Sequence, residues 1–230
     1  MKVISFSALL SLSVYTLSLA APVSETKSIR DLEGLEGQLE IFQLFTSDTQ
    51  NDVVDNKPCE AVTLIFARGT VESGNVGALV GPPFFAALAL DIGPKKLAVQ
   101  GVDYPADIPG FLIGGSPSGS STMAKLIDRA VAQCPNTKLV LSGYSQGAQL
   151  VHNAAKKLSA ATAAKITSIV FFGDPNEGDP VRGVSPSNVL TICHAKDNIC
   201  EGGIMVSGEH LNYGVDAMAA ATFVKGKVGL

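Results

Sequence analysis

The stretch that most constrains what this chain can fold into is Val140-Leu141-Ser142-Gly143-Tyr144-Ser145-Gln146-Gly147-Ala148-Gln149-Leu150. An apolar, β-branched run over residues 138–141 meets a Gly-x-Ser-x-Gly turn, and residues 148–158 behind it have the composition of a helix. Strand, sharp turn, helix is the pattern of a nucleophile elbow, in which the central serine takes a strained backbone conformation and is lifted off the end of a sheet. Side chains around such a turn must be small, and Gly143 and Gly147 stand where the strand and helix backbones would otherwise collide. At a helix N-terminus, Ser145 also lies beside free N–H groups and the positive end of the helix dipole. A five-residue Gly/Ser pattern recurs by chance; the flanking strand and helix give it meaning.

The segments around the elbow alternate in kind. Residues 61–66 are continuously apolar, as in a strand buried on both faces, and Ala67-Arg68-Gly69-Thr70 follows at its C-terminal end. Residues 81–90 read as a helix, 97–102 as a second strand, and 121–133 as an amphipathic helix capped by Ser120 or Ser121. Beyond the elbow, 166–172 and 189–193 are short strands and 218–224 is a closing helix. This alternation predicts an α/β domain with a mostly parallel sheet flanked by helices, its ligand crevice at the C-terminal strand ends.

Residues 1–20 read as a secretory signal: Lys2, an apolar and Ser-rich run, then Ser18-Leu19-Ala20 as a small-residue cleavage site. No later apolar stretch reaches the ~18 residues of a membrane span, so the expectation is an exported, extracellular protein that does not span a membrane. Residues 21–51 are expected to be a flexible N-terminal segment, with only 39–45 apolar enough to dock, and 52–230 a single domain. A net charge of −4 without a Lys/Arg cluster argues against nucleic acid. The four cysteines, Cys59, Cys134, Cys193 and Cys200, are an even number in an oxidising compartment and read as two disulfides. Three pairings are possible; the nearness of Cys193 to Cys200 across a turn-like Lys196-Asp197-Asn198 favours a local bridge, leaving Cys59 with Cys134. Their spacing matches no structural zinc pattern, and no metal is expected.

A serine needs an imidazole to take its proton and an acid to hold that imidazole. The chain has three histidines. His152 falls about two turns, ~10 Å, along the elbow helix, too far to reach Ser145, and is expected on the surface. Two triads survive: Asp174 with His194, each following a strand, and Asp197 with His210, the acid lying in the loop pinched by Cys193 and Cys200. Spacing leans to the second, since a short disulfide loop is a way to hold an acid rigid. Asp174 also reads as an Asx-turn residue ahead of Pro175.

Phe66-Ala67-Arg68-Gly69-Thr70, Glu72-x-Gly74-Asn75, Cys134-Pro135, Gly143-Tyr144-Ser145-Gln146-Gly147-Ala148 and the run from Cys193 through Asp197 and Cys200 to His210 together resemble the fungal cutinases. The likeness runs from about Asp52 to the C-terminus. It implies a compact, lidless α/β hydrolase, monomeric, that cleaves cutin and related fatty-acyl esters without metal or cofactor. Carried over by position, Ser145 is the nucleophile, His210 the base and Asp197 the acid; Thr70 and Gln146 supply oxyanion-hole N–H groups, with the Thr70 hydroxyl as a third donor. The same resemblance pairs the cysteines as above. Two departures stand out: Thr70 replaces a serine common in the family, and Glu209 precedes His210 where many relatives have proline.

A fatty-acyl esterase needs an apolar lip. Candidates are residues 109–113, with Pro109, Phe111 and Leu112 as contacts, and Ile204, Met205 and Val206 with Leu211 on the other side; Tyr144 beside the nucleophile is a further substrate contact. The segment Val102-Asp103-Tyr104-Pro105-Ala106 also resembles acetylxylan esterases, which makes deacetylation of xylan the alternative. With no Trp and four Tyr, a sugar platform has little to be built from. A catalytically dead fold that binds hydrophobic surfaces is the rival of another class; its mark would be a missing triad member.

Overall fold

The structure, a computed structural model, describes residues 45–230 together with Leu39 and Ile41. The expected signal and most of the expected flexible segment lie outside the described residues. Five strands, β1 (Val62–Ala67), β2 (Leu97–Gly101), β3 (Lys138–Tyr144), β4 (Ile166–Phe172) and β5 (Val189–Ile192), form one sheet in the order β2-β1-β3-β4-β5. Every pairing between them is parallel. Between and after them lie α1 (Gly81–Ile92), α2 (Ile108–Leu112), α3 (Pro117–Gln133), α4 (Gln146–Ala155), α5 (Ala160–Ala163) and α6 (Ala217–Val228).

Alternate strand residues point to opposite faces, so the continuously apolar strands feed two cores. Leu64 and Phe66 pack with α1 and α6 on one side. Ile65 and Ala67 pack with α3 and α4 on the other. The strand order reverses between β1 and β3, and such a switch point opens a crevice outside the C-terminal strand ends. Ala67 pairs with Gly143 in the register of β1 and β3, which brings the loop after β1 level with the elbow after β3.

Three expectations are corrected. Residues 46–51, expected within the flexible segment, are docked: the Asp48 and Gln50 carbonyls accept from Asn75, Val76 and Gly101, while Phe45, at the end of the run expected to dock, meets Phe85 edge-on. Helix α3 starts at Pro117, with Ser116 as its cap accepting from the Gly119 N–H, earlier than Ser120 or Ser121. A Ser-Pro-Ser-Gly run reads as a turn, yet proline at the first helical position is already shaped for a helix. His152 is buried, at 3 % exposure, because α4 is covered by the sheet on one side and α3 on the other. Among the described residues, no helix is long and apolar enough to cross a membrane.

Candidate active site

Ser145 sits between β3 and α4 at φ 55°, ψ −121°, a left-handed conformation that a side chain other than glycine's adopts only under strain. Neighbours hold it there. Its N–H donates to the Phe172 carbonyl at 3.0 Å. A Cβ on Gly143 would lie 2.3 Å from the Gly147 backbone, and one on Gly147 would lie 2.0 Å from the Ala67 carbonyl oxygen. Both glycines are therefore fixed by the close passage of β1, β3 and α4.

His210 Nε2 lies 2.9 Å from Ser145 Oγ, and its Nδ1 lies 2.7 Å from Asp197 Oδ2. Asp197 and His210 are buried, at 1 % and 2 % exposure. Burial alone would push the Asp197 carboxyl up. The Tyr213 hydroxyl, the His210 ring and its charge, and the Ile199 N–H outweigh it and hold the group below the ordinary aspartate value. Tyr213 donates to Asp197 Oδ2 at 2.6 Å, and Ile199 N–H donates to Oδ1 at 3.0 Å. Disulfides join Cys193 to Cys200 around this acid and Cys59 to Cys134.

The other acid and imidazole groups point elsewhere. Asp174 Oδ2 is 2.8 Å from Nε2 of His152, whose ring stacks on Phe171, while Asp174 Oδ1 accepts from Asn176 N–H as an Asx turn does. His194 Nε2 contacts Asp216 at 2.7 Å, and the ring does not turn to Ser145.

The loop carrying Thr70 is braced by groups whose roles the sequence left unread. Buried Arg68 donates to the carbonyls of Glu72 and Tyr104, and the Tyr104 hydroxyl donates back to the Arg68 carbonyl at 2.6 Å. Glu72 accepts from Gly69 N–H through one oxygen and from the N–H groups of Ala78 and Leu79 through the other. Gln146 is the first residue of α4, so its N–H has no intrahelical acceptor. Its side-chain amide donates to Thr70 Oγ1 at 3.0 Å and to the Asp107 carbonyl at 2.9 Å. Two charged motif residues, Arg68 and Glu72, beside an otherwise apolar strand were the available signal; Tyr104 lay in a motif noted only for its family likeness, and Tyr213 carried none.

Ser145 and His210 open into a crevice of about 590 Å³. Phe111 and Leu112 line it after β2, Ile204, Val206 and Leu211 after β5, and Tyr144 lines it beside the nucleophile. Pro109 is exposed and outside this lining, because Ile108, Phe111 and Leu112, at i, i+3 and i+4, share the face of α2 turned to the crevice and Pro109 lies off it. Tyr144 has a second contact: its hydroxyl donates to the His210 carbonyl at 2.8 Å. Ser145, His210 and Asp197 in line, beside helix-terminal N–H groups and an apolar trough, can open a carboxylic ester by nucleophilic acyl transfer.

The cutinase family model matches residues 58–228. A cutinase of Botryotinia fuckeliana is 58% identical over 177 residues, spanning 77% of this chain and 88% of that protein. One from Monilinia fructicola is 54% identical over 176 residues, 76% of this chain and 87% of its own length. Trichoderma reesei cutinase in complex with a C11Y4 phosphonate inhibitor superposes with a TM-score of 0.75 at 48% identity, covering 84% of this chain and 86% of that one. An acetylxylan esterase superposes with a TM-score of 0.61 at 24% identity, over 75% of this chain and 100% of that one, a likeness of fold.

Proposed function

The chain belongs to the cutinase family, and from that premise we propose that it is a serine esterase that hydrolyses cutin and related fatty-acyl esters through an acyl-enzyme on Ser145. The observation that carries the proposal is the line Ser145, His210, Asp197, with contacts of 2.9 and 2.7 Å, opening into an apolar crevice. Ser145 Oγ attacks the ester carbonyl carbon as its proton passes to His210 Nε2. The carbonyl oxygen takes up negative charge and meets the N–H groups of Gln146 and Thr70. The Thr70 hydroxyl accepts from the Gln146 amide, which leaves its own hydrogen to donate as a third contact. Collapse expels the alcohol with the proton held by His210, and water, deprotonated by the same ring, releases the acid. Asp197 stays ionised throughout and fixes the imidazole; its lowered pKa suits that role.

The chain works outside the cell as a single copy. Two disulfides suit an oxidising compartment, and every group of the site comes from one chain. Initial rates on p-nitrophenyl esters from acetate to palmitate, with cutin and acetylated xylan beside them, test the substrate class. The expected result is a rate that holds or rises beyond acetate, with fatty acids released from cutin. Turnover confined to acetate and acetylated xylan would overturn it.

A further inference from the structure

His194 contacts two acceptors through its ring. Nδ1 lies 2.9 Å from the Glu209 carbonyl oxygen and Nε2 lies 2.7 Å from Asp216 Oδ2. A carbonyl and a carboxylate can only accept, and a neutral imidazole has one N–H, so both contacts are satisfied together only by the doubly protonated ring. Glu209 immediately precedes His210, and the His210 carbonyl is held in turn by the Tyr144 hydroxyl. The peptides on both sides of the base are thus pinned by side chains from other parts of the chain. The same His194 ring stacks on Tyr213 at 4.1 Å between centroids, and its backbone N–H donates to the Tyr213 hydroxyl that bonds Asp197.

We infer that His194, as an imidazolium, is a positioning residue for the catalytic base: it clasps the Glu209 peptide to Asp216 and so fixes the loop that aims His210 at Ser145. This rests on the triad proposed above. Glu209 leaves the backbone before the base without the restraint a proline ring would give, and the clasp supplies it instead. When the ring loses a proton, the carboxylate retains the remaining N–H at Nε2; the Nδ1 lone pair then faces the Glu209 oxygen, and the contact turns repulsive.

The charged and titratable groups around the ring favour the clasp. Asp216 touches it and Asp197 lies beyond Tyr213, while the Glu209 side chain is engaged with Ser207 and with the charge of Lys196. From the segment after β4, Glu177 brings a carboxylate oxygen within 4.8 Å of the Cys193 and Cys200 sulfurs. Burial works against the charged ring, but the Asp216 and Glu209 hydrogen bonds and the charges of Asp216 and Asp197 outweigh it, raising His194 above the ordinary histidine value. The sign follows from linkage: the clasp is complete below the unfolded histidine value of ~6.5 and is lost as pH rises through the raised folded value. The kcat profile therefore falls at alkaline pH through the titration of His194.

Three histidines make the ring signals tractable by NMR. The test is to titrate His194 by NMR in the full chain and record kcat and KM against pH on p-nitrophenyl butyrate for wild type, His194→Gln and Asp216→Asn. The expected alkaline fall in kcat has the midpoint of His194, with KM flat. His194→Gln cannot titrate there; its kcat is lower by about fivefold at neutral pH, the size of one net hydrogen bond, and the alkaline fall disappears. Asp216→Asn moves the ring titration and the kcat midpoint down together. A His194→Gln profile superimposed on wild type, with only Tm reduced, would make the residue a staple and overturn the inference, as would a midpoint in Asp216→Asn that stays put. Failure of the triad is separate: it is read from Ser145→Ala, whatever His194 does.

Discussion

Ser145 loses one hydroxyl on becoming alanine, and the backbone strain at φ 55° is the same for either residue. Ser145→Ala is therefore expected to fold with an unchanged Tm while losing esterase activity and fluorophosphonate labelling; labelling at the wild-type level would remove the residue from the mechanism. The two buried histidine-aspartate pairs give a sharper contrast. Asp197→Asn and His210→Ala are expected to lower kcat on the order of 10³-fold or more. His152→Ala strands the buried Asp174 carboxylate and the face of Phe171, so it is expected to lower Tm, with kcat of the folded protein within a few-fold. Measuring kcat and Tm on all four separates the cases, and a reversed ranking would move the active site. Ser145 was legible because the elbow is a local pattern, and Asp197 because two nearby cysteines mark its loop. Tyr213 was not: its bond to Asp197 spans 16 residues and exists only once the two loops meet.

Among the elements, the strands were the most legible, since runs such as Ile166–Phe172 are apolar on both faces and end at glycine or a loop. Helix faces were less so. One helix's pattern does not say whether a second layer covers its far side, which is why His152 read as surface. The two disulfides act on different elements. Cys193–Cys200 closes a separation of 7 around Asp197, worth about 2 kcal/mol in the chain-entropy model, whereas Cys59–Cys134 closes a separation of 75 between the chain before β1 and the end of α3, worth about 4.5 kcal/mol. Cys193→Ala/Cys200→Ala is expected to lower kcat before it lowers Tm, because the freed loop lets the acid drift from His210. Cys59→Ala/Cys134→Ala is expected to lower Tm first. Thermal unfolding and esterase rate on both double mutants check this; wild-type kcat in the first would show that its bridge is a plain staple.

At the scale of the whole molecule, many of the large apolar residues left exposed gather at one place. Ile108, Leu112 and Ile113 are exposed on one side of the crevice, and Ile204, Met205, Val206 and Leu211 on the other. A chain with a net charge of −4 and polar residues to spare keeps these in water at a cost, and their burial against an acyl chain returns it. An acetyl group ends close to Ser145, whereas a long acyl chain must run out along the walls. Fully burying one aliphatic side chain is worth ~1.5–3 kcal/mol, so half that for each of two wall residues is roughly 2 kcal/mol, or about 30-fold in kcat/KM. Leu112→Ser/Val206→Ser is therefore expected to lower kcat/KM for p-nitrophenyl palmitate by about that factor. Acetate should stay within about twofold, because the catalytic groups and their braces are untouched. The difference should widen on insoluble cutin, where the rim itself meets the polymer. Equal losses on acetate and palmitate would mean that the substitutions disturb the triad, and no loss on either would mean that the acyl chain leaves the crevice by another path.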